Sequence, residues 1–277
     1  MKNISRREFI EKSGIGIAGL AISTQGNNQT KPKTAIPFQL GIASYTFRNY
    51  SLEKSLEMAV RLNIRRLSLK SMHLPLESTA DDIKKAMDMC KKAGVEIYGA
   101  GVIYMNKKEE VDQAFNYAGM AGMKIIIGVP AHDLLAYTEQ MVKKTGIKVA
   151  IHNHGPGDEV YPSPESIYSR IKDLDKGIGI CLDIGHTIRI GLNPATEAKK
   201  YAGRLLDMHI KDVTAATAEG DTAEMGRGVI DLPAFFREIT KLGFSGTASF
   251  EYEKDENDVL PGLAESVGYT RGILAML

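Results

Sequence analysis

From Phe38 onward the chain alternates short apolar runs with amphipathic stretches. Runs of strand length cover 38–47, 65–70, 95–104, 123–130, 147–154, 177–186, 204–212 and 246–253. Between them, apolar residues recur at helical spacing over 51–62, 79–93, 108–121, 133–144, 164–173, 193–202, 231–242 and 261–276. Segment 51–62 shows the type, with Ser51 at the N-cap position and Glu53 in the first turn. Pro233 falls in the first turn of the seventh helix, where a missing N–H costs least. Eight strand–helix pairs predict an α/β fold, a single-domain (β/α)8 TIM barrel over residues 34–277. An open doubly wound sheet would put a glycine-rich phosphate turn after the first strand. SYTFRNYSLEK stands there instead, without such glycines.

A barrel places its chemistry at the C-terminal ends of its strands. Four of these ends, AIHNH, ICLDIGH, LLDMHIKD and ASFEYE, carry His152, Asp183, His209 and Glu251. Alternation along a strand turns these residues inward: Ala150 shares a face with His152, Cys181 with Asp183, Asp207 with His209, and Ser249 with Glu251. A lone buried charge is costly, so four polar inward residues on consecutive strands point to a metal site. Two imidazoles and two carboxylates without thiolate suit one divalent cation, with Mn²⁺ preferred and Zn²⁺, Co²⁺ or Fe²⁺ as alternatives. Such an ion is a Lewis acid for a carbonyl.

The N-terminus reads differently. SRREFI, a short Gly/Ala/Ile stretch and a polar exit over residues 1–33 describe an export signal and linker; the Arg6-Arg7 pair suggests the twin-arginine type and a periplasmic destination. No apolar run reaches the ~18–20 residues of a membrane helix, so no stable membrane insertion is expected after signal removal. Residues 1–33 hold six Lys/Arg and two Asp/Glu of a chain with net charge +1, which leaves the remainder at −3. That mildly acidic body argues against nucleic acid as a partner. Cys90 and Cys181 are expected as buried apolar residues and not as a disulfide.

LDIGH (182–186), MHIKD (208–212), GRGVID (226–231) and FEYE (250–253) resemble the xylose-isomerase-like barrels, a family of sugar phosphate isomerases and epimerases that includes ketose 3-epimerases. In that family the ligands are a Glu on strand five and then Asp, His and Glu; Asp183, His209 and Glu251 match the last three. The resemblance further implies that His186 touches a substrate hydroxyl and that Lys211 and Arg227 line the mouth. It implies a small sugar or keto-sugar as partner, and a homodimer, since barrels of this kind often pair. Segment LSLKSMHLP, with Lys70 and His73, resembles exported relatives that cleave or hydrate 3-keto-glycosides.

Strand five departs from the pattern, with AIHNH where the family has a run resembling ALENH. His152 can still hold a metal but is a poor replacement for a carboxylate base. VTAATAEGD also follows His209 where ketose epimerases tend to carry an Arg. The leading expectation is a metal-dependent sugar isomerase or epimerase that works by proton abstraction beside a polarised carbonyl. The alternative is a 3-keto-glycoside 1,2-lyase or hydratase, and a non-catalytic sugar-binding barrel is the reading from another class. Glu251 is the expected base; His154, His186, His73 or Lys70 would supply an acid, with Lys70, His73, Lys211 and Arg227 as substrate contacts. Asn153 is expected to orient His152.

Overall fold

The computed structural model describes residues 35–277. The expected export signal, with Arg6-Arg7, lies outside the described residues. Eight parallel strands close in the order β1-β10-β7-β6-β5-β4-β3-β2. These are β1 (Gln39–Ala43), β2 (Arg66–Leu69), β3 (Glu96–Met105), β4 (Ile125–Pro130), β5 (Lys148–His152), β6 (Ile178–Asp183), β7 (Leu205–Ile210) and β10 (Thr247–Phe250). Helices α1 (Leu52–Arg61), α2 (Ala80–Ala93), α3 (Lys108–Met120), α4 (Leu135–Thr145), α5 (Pro164–Ile171), α6 (Ile184–Arg189), α7 (Pro194–Lys200), α8 (Leu232–Lys241) and α9 (Val259–Ala275) follow the strands. The expected TIM barrel is the observed fold.

Local chemistry sets the helix ends. Ser51, Thr79, Ser163, Asn193 and Asp231 each accept a backbone N–H from the first turn of their helix. Gly94 and Gly146 take the left-handed conformation that closes α2 and α4. The larger core lies between strands and helices, where Val149, Ile151, Ile180, Leu182, Phe235 and Phe236 are all fully buried. Tyr98, Ile125, Ile127, Ala150 and Cys181 form a second apolar cluster, on the strand face opposite Val149 and Ile151. Beside it the Tyr98 hydroxyl bonds Asp207 at 3.0 Å and Ser249 at 2.7 Å. The buried cysteines are free, as expected.

Six strands stop earlier than the hydrophobic pattern suggests, and four of these ends shape the site. β1 ends at Ala43 and passes into a 3-10 turn, Ser44–Phe47. β5 ends at His152, so His154 lies beyond it. β6 ends at Asp183 because its carboxylate accepts the His186 N–H at 2.7 Å and caps α6, a helix that replaces the expected strand continuation. β10 ends at Phe250, one residue before Glu251. A small hairpin, β8 (Asp212–Val213) with β9 (Thr222–Ala223), was also absent from the sequence expectation; Asp212 fixes the loop beyond it by accepting N–H groups of Gly226, Gly228 and Ile230.

Candidate active site

β5, β6, β7 and β10 are adjacent around the barrel, and their C-terminal ends carry His152, Asp183, His209 and Glu251 in that order. His152 pairs with Cys181, Asp183 with His209, and His209 with Ser249. Asp183 and Glu251 therefore each stand two residues beyond a pairing partner. The tilt and stagger of barrel strands bring such offset ends together. One ligand atom from each of the four side chains lies within 4.8 Å of the others, and all four residues are buried.

The contacts inside this cluster suit a cation. His152 Nε2 lies 3.1 Å from His209 Nδ1 and 3.4 Å from Asp183 Oδ2, and His209 Nδ1 lies 3.3 Å from Glu251 Oε1. Asp183 Oδ2 has no aligned hydrogen-bond partner although it is shielded from water. Two imidazole nitrogens and two carboxylate oxygens, turned on one point, form an N/O donor set of the kind that divalent transition metals accept. The residues present fit one divalent ion.

Lys211 supplies positive charge beside this cluster. Its buried ammonium donates to Glu251 Oε2 at 2.8 Å, pairs with Glu253, and lies 3.2 Å from Asp183 Oδ2. Burial alone would lower its pKa, but Asp183, Glu251 and Glu253 outweigh burial and hold it well above the ordinary lysine value. Burial opposes the charge on Glu251 too, yet Lys211 and His209 keep its carboxyl well below the usual range. Burial drives His152 down to about 4, whereas His209 is raised because Glu251 and its other carboxylate neighbours outweigh burial. The centre thus holds one neutral and one charge-favouring imidazole.

A cavity of about 260 Å³ opens over the cluster, lined by Tyr45, Lys70, Tyr104, His154, His186 and Glu251 among others. Lys70 Nζ donates to the Val102 carbonyl at 2.6 Å, and burial lowers its pKa against the pull of Glu251. His154 Nε2 meets the Tyr104 hydroxyl at 3.1 Å. His186 also faces the cavity, and burial pushes it down to about 3. Gly155, at φ 77°, lets the chain after β5 pass close to α6: a Cβ there would stand 2.9 Å from the His186 carbonyl.

Three expected roles need correction. His73 is buried away from the cavity, with Nδ1 bonded to Ser44 Oγ at 2.9 Å and Nε2 facing the Phe47 carbonyl at 3.1 Å and Ser55 Oγ at 3.2 Å. Both ring nitrogens are engaged, so it has no free atom for a substrate contact. Arg227 is exposed and forms a two-pronged pair with Glu265 at 2.5 and 2.7 Å, outside the cavity. Asn153 does not hold His152. Its Oδ1 accepts the Asp183 N–H at 3.0 Å and its amide donates to Thr187 Oγ1 at 3.2 Å, which fixes the Asp183 backbone.

Tyr45, Tyr104 and Glu253 enter the site without having been singled out. Glu253 was legible, because alternation in FEYE puts it on the face of Glu251. Cys181, set aside as packing, has its sulfur within 4.8 Å of ring nitrogens of His152 and His209.

The comparisons with known proteins agree with this architecture. Residues 76–273 match the family model described as xylose isomerase-like TIM barrel. The rhizopine catabolism protein MocC of Rhizobium meliloti is 25% identical over 139 residues, 45% of this chain and 42% of that protein. Inosose dehydratase of Clostridium beijerinckii is 24% identical over 132 residues, 42% of this chain and 44% of that protein. The chain therefore matches less than half the length of these curated relatives. Among solved structures, the IOLI protein with a bound zinc atom superposes with a TM-score of 0.74 at 18% identity, over 86% of this chain and 99% of that one, a likeness of fold. With a family model spanning most of the described barrel, this chain belongs to the xylose isomerase-like TIM barrel family.

Proposed function

We propose that this protein is a divalent-metal-dependent dehydratase or lyase of a keto-sugar. The carrying observation is the distribution of charge around the cavity. Among the described residues, the two carboxylates that line it, Glu251 and Glu253, come from one loop after β10. The walls from β2, β3 and β5 present Lys70, Tyr104 and His154, which are proton donors or neutral rings. An epimerase with two carboxylate bases would need the second on the facing wall, where this chain has His152 inside the ligand cluster.

His152, Asp183, His209 and Glu251 would hold the ion, with Mn²⁺ the preferred choice. When bound, the ion supplies Lewis-acid polarisation of a keto oxygen. Glu251 removes the proton from the carbon beside the carbonyl, and that electron pair becomes a C=C bond as the β C–O bond breaks. The departing oxygen takes a proton from Lys70, whose burial makes its ammonium the more acidic. His154 and His186 orient substrate hydroxyls from the remaining walls. Hydration runs the same steps in reverse. The Arg6-Arg7 pair supports an exported enzyme, and outside the cytoplasm such an enzyme meets glycosides and not phosphorylated metabolites.

A second reading, isomerisation or epimerisation, draws on Lys70: with its pKa lowered by burial, it could return a proton to the face away from Glu251. Incubation of the Mn²⁺-loaded protein with keto-sugars in D₂O, followed by NMR, separates the two. Loss of a β-hydroxyl or alkoxyl group supports elimination; an intact, deuterated epimer or isomer supports the second reading and overturns the first. Metal binding without either change would leave a sugar-binding barrel.

A further inference from the structure

Beside the first cavity lies a second of about 390 Å³, bounded by α6, the β8–β9 hairpin and the loop after β10. The two share His186 and Glu253 as common walls. Taken singly, they lie near the lower end of the ~300–1,000 Å³ typical of small-molecule sites; together they reach its middle. The ligand cluster and Glu251 serve only the first cavity, so the proposed chemistry leaves the second unused.

The second cavity is built from hydrogen-bonding side chains. Arg189, in the last turn of α6, reaches across to the Ala218 carbonyl at 2.6 Å and so ties α6 to the hairpin loop. Its Nε is shielded from water and has no partner, while Nη1 lies 3.5 Å from His186 Nδ1. Thr222 and Lys254 add donors, while Asp221 and Glu253 add acceptors. Lys254 is already paired with Glu224 at 2.8 Å. Phosphate or carboxylate recognition calls for converging, uncommitted cations. Here donors and acceptors stand together around one cavity, the complement of a neutral group bearing several hydroxyls, each of which both donates and accepts.

We infer that the second cavity is a subsite for a second hydroxylated ring, so that the preferred ligand is a two-ring glycoside with its keto ring over the ligand cluster. This rests on the keto-sugar reading above. In that reaction the second ring is the group that departs through its glycosidic oxygen, and Arg189 grips it from α6 and Asp221 from the hairpin.

The test compares methyl β-glucoside, cellobiose and β-glucosyl-1,4-glucuronic acid, which carries its carboxylate on the departing ring, as ligands of the Mn²⁺-loaded protein by titration calorimetry, alongside turnover of the 3-keto forms of the first two. Cellobiose is expected to bind about tenfold more tightly than methyl glucoside. Arg189→Ala should bring that ratio close to one, and Thr222→Val, which keeps side-chain shape, should reduce it too. Equal affinity of one- and two-ring ligands, or a ratio untouched by either substitution, overturns the subsite. Tightest binding by β-glucosyl-1,4-glucuronic acid overturns its neutral character. Arg189-dependent preference for cellobiose without turnover of either keto form keeps the subsite and removes the dehydratase or lyase reading. Turnover without a two-ring preference does the opposite.

Discussion

His152 Nε2 and His209 Nδ1 face each other at 3.1 Å inside the buried cluster, yet their surroundings push the two rings in opposite directions. Burial keeps His152 neutral down to about 4, while the carboxylates around His209 raise its pKa above the ordinary value. Metal ligation needs both imidazoles neutral. Near pH 6.5, binding of one divalent ion should therefore release a proton from His209 and none from His152. Affinity should climb with pH up to the raised pKa of His209 and then level off. Calorimetric titration in buffers of different ionisation heat checks this, and release of two protons would show that His152 is also charged.

Lys211 neutralises Asp183, Glu251 and Glu253 from within. Removing one partner of a buried ionic network typically costs ~3–5 kcal/mol. Lys211→Met should lower the melting temperature of the chelator-treated protein by roughly 10 °C on that basis. Added Mn²⁺ should recover most of the loss, because the ion replaces the missing positive charge. Thermal unfolding with and without the ion measures both effects; a deficit that the ion leaves unchanged would argue against shared carboxylates.

Glu251 is both a ligand and the proposed base. Glu251→Gln keeps the shape and one oxygen but not the basicity. Turnover should fall by about 10²–10⁴-fold, while some ion remains bound through His152, Asp183 and His209. Metal content and rate, measured on the same sample, separate the two roles. Undiminished turnover would move the base elsewhere.

His73 acts at a distance from the cavity. The Lys70 N–H donates to Ser44 Oγ at 2.7 Å, and Ser44 in turn bonds His73 Nδ1. The Phe47 carbonyl at Nε2 selects the tautomer that leaves Nδ1 as acceptor. His73→Ala should free the Lys70 backbone, speed exchange of its amide hydrogen, and let its ammonium titrate closer to the ordinary lysine value. NMR of ¹³C-methylated lysines reads the titration. A Lys70 that titrates unchanged would limit His73 to general stability.

Much of this architecture could be read from residue order. Eight alternations of strand and helix pattern give the barrel, and period-two alternation turns His152, Asp183, His209 and Glu251 inward. What escaped depends on contacts between distant residues. The end of β6 is set by the Asp183 cap on α6, which apolar periodicity does not register. The β8–β9 hairpin has two residues per strand, too few to show a period. His73 looked like a loop histidine because its partner Ser44 lies 29 residues away, and Arg227 looked free because Glu265 lies 38 residues away.

The most direct measurement follows methyl 3-keto-glucoside by NMR in D₂O with the 277-residue protein, first stripped of metal and then loaded with one equivalent of Mn²⁺. Our account predicts that the loaded protein alone releases methanol and an unsaturated keto-sugar in equal amounts, and that a chelator stops both. An intact glycoside in the presence of the bound ion, or a deuterated epimer without methanol, would contradict it.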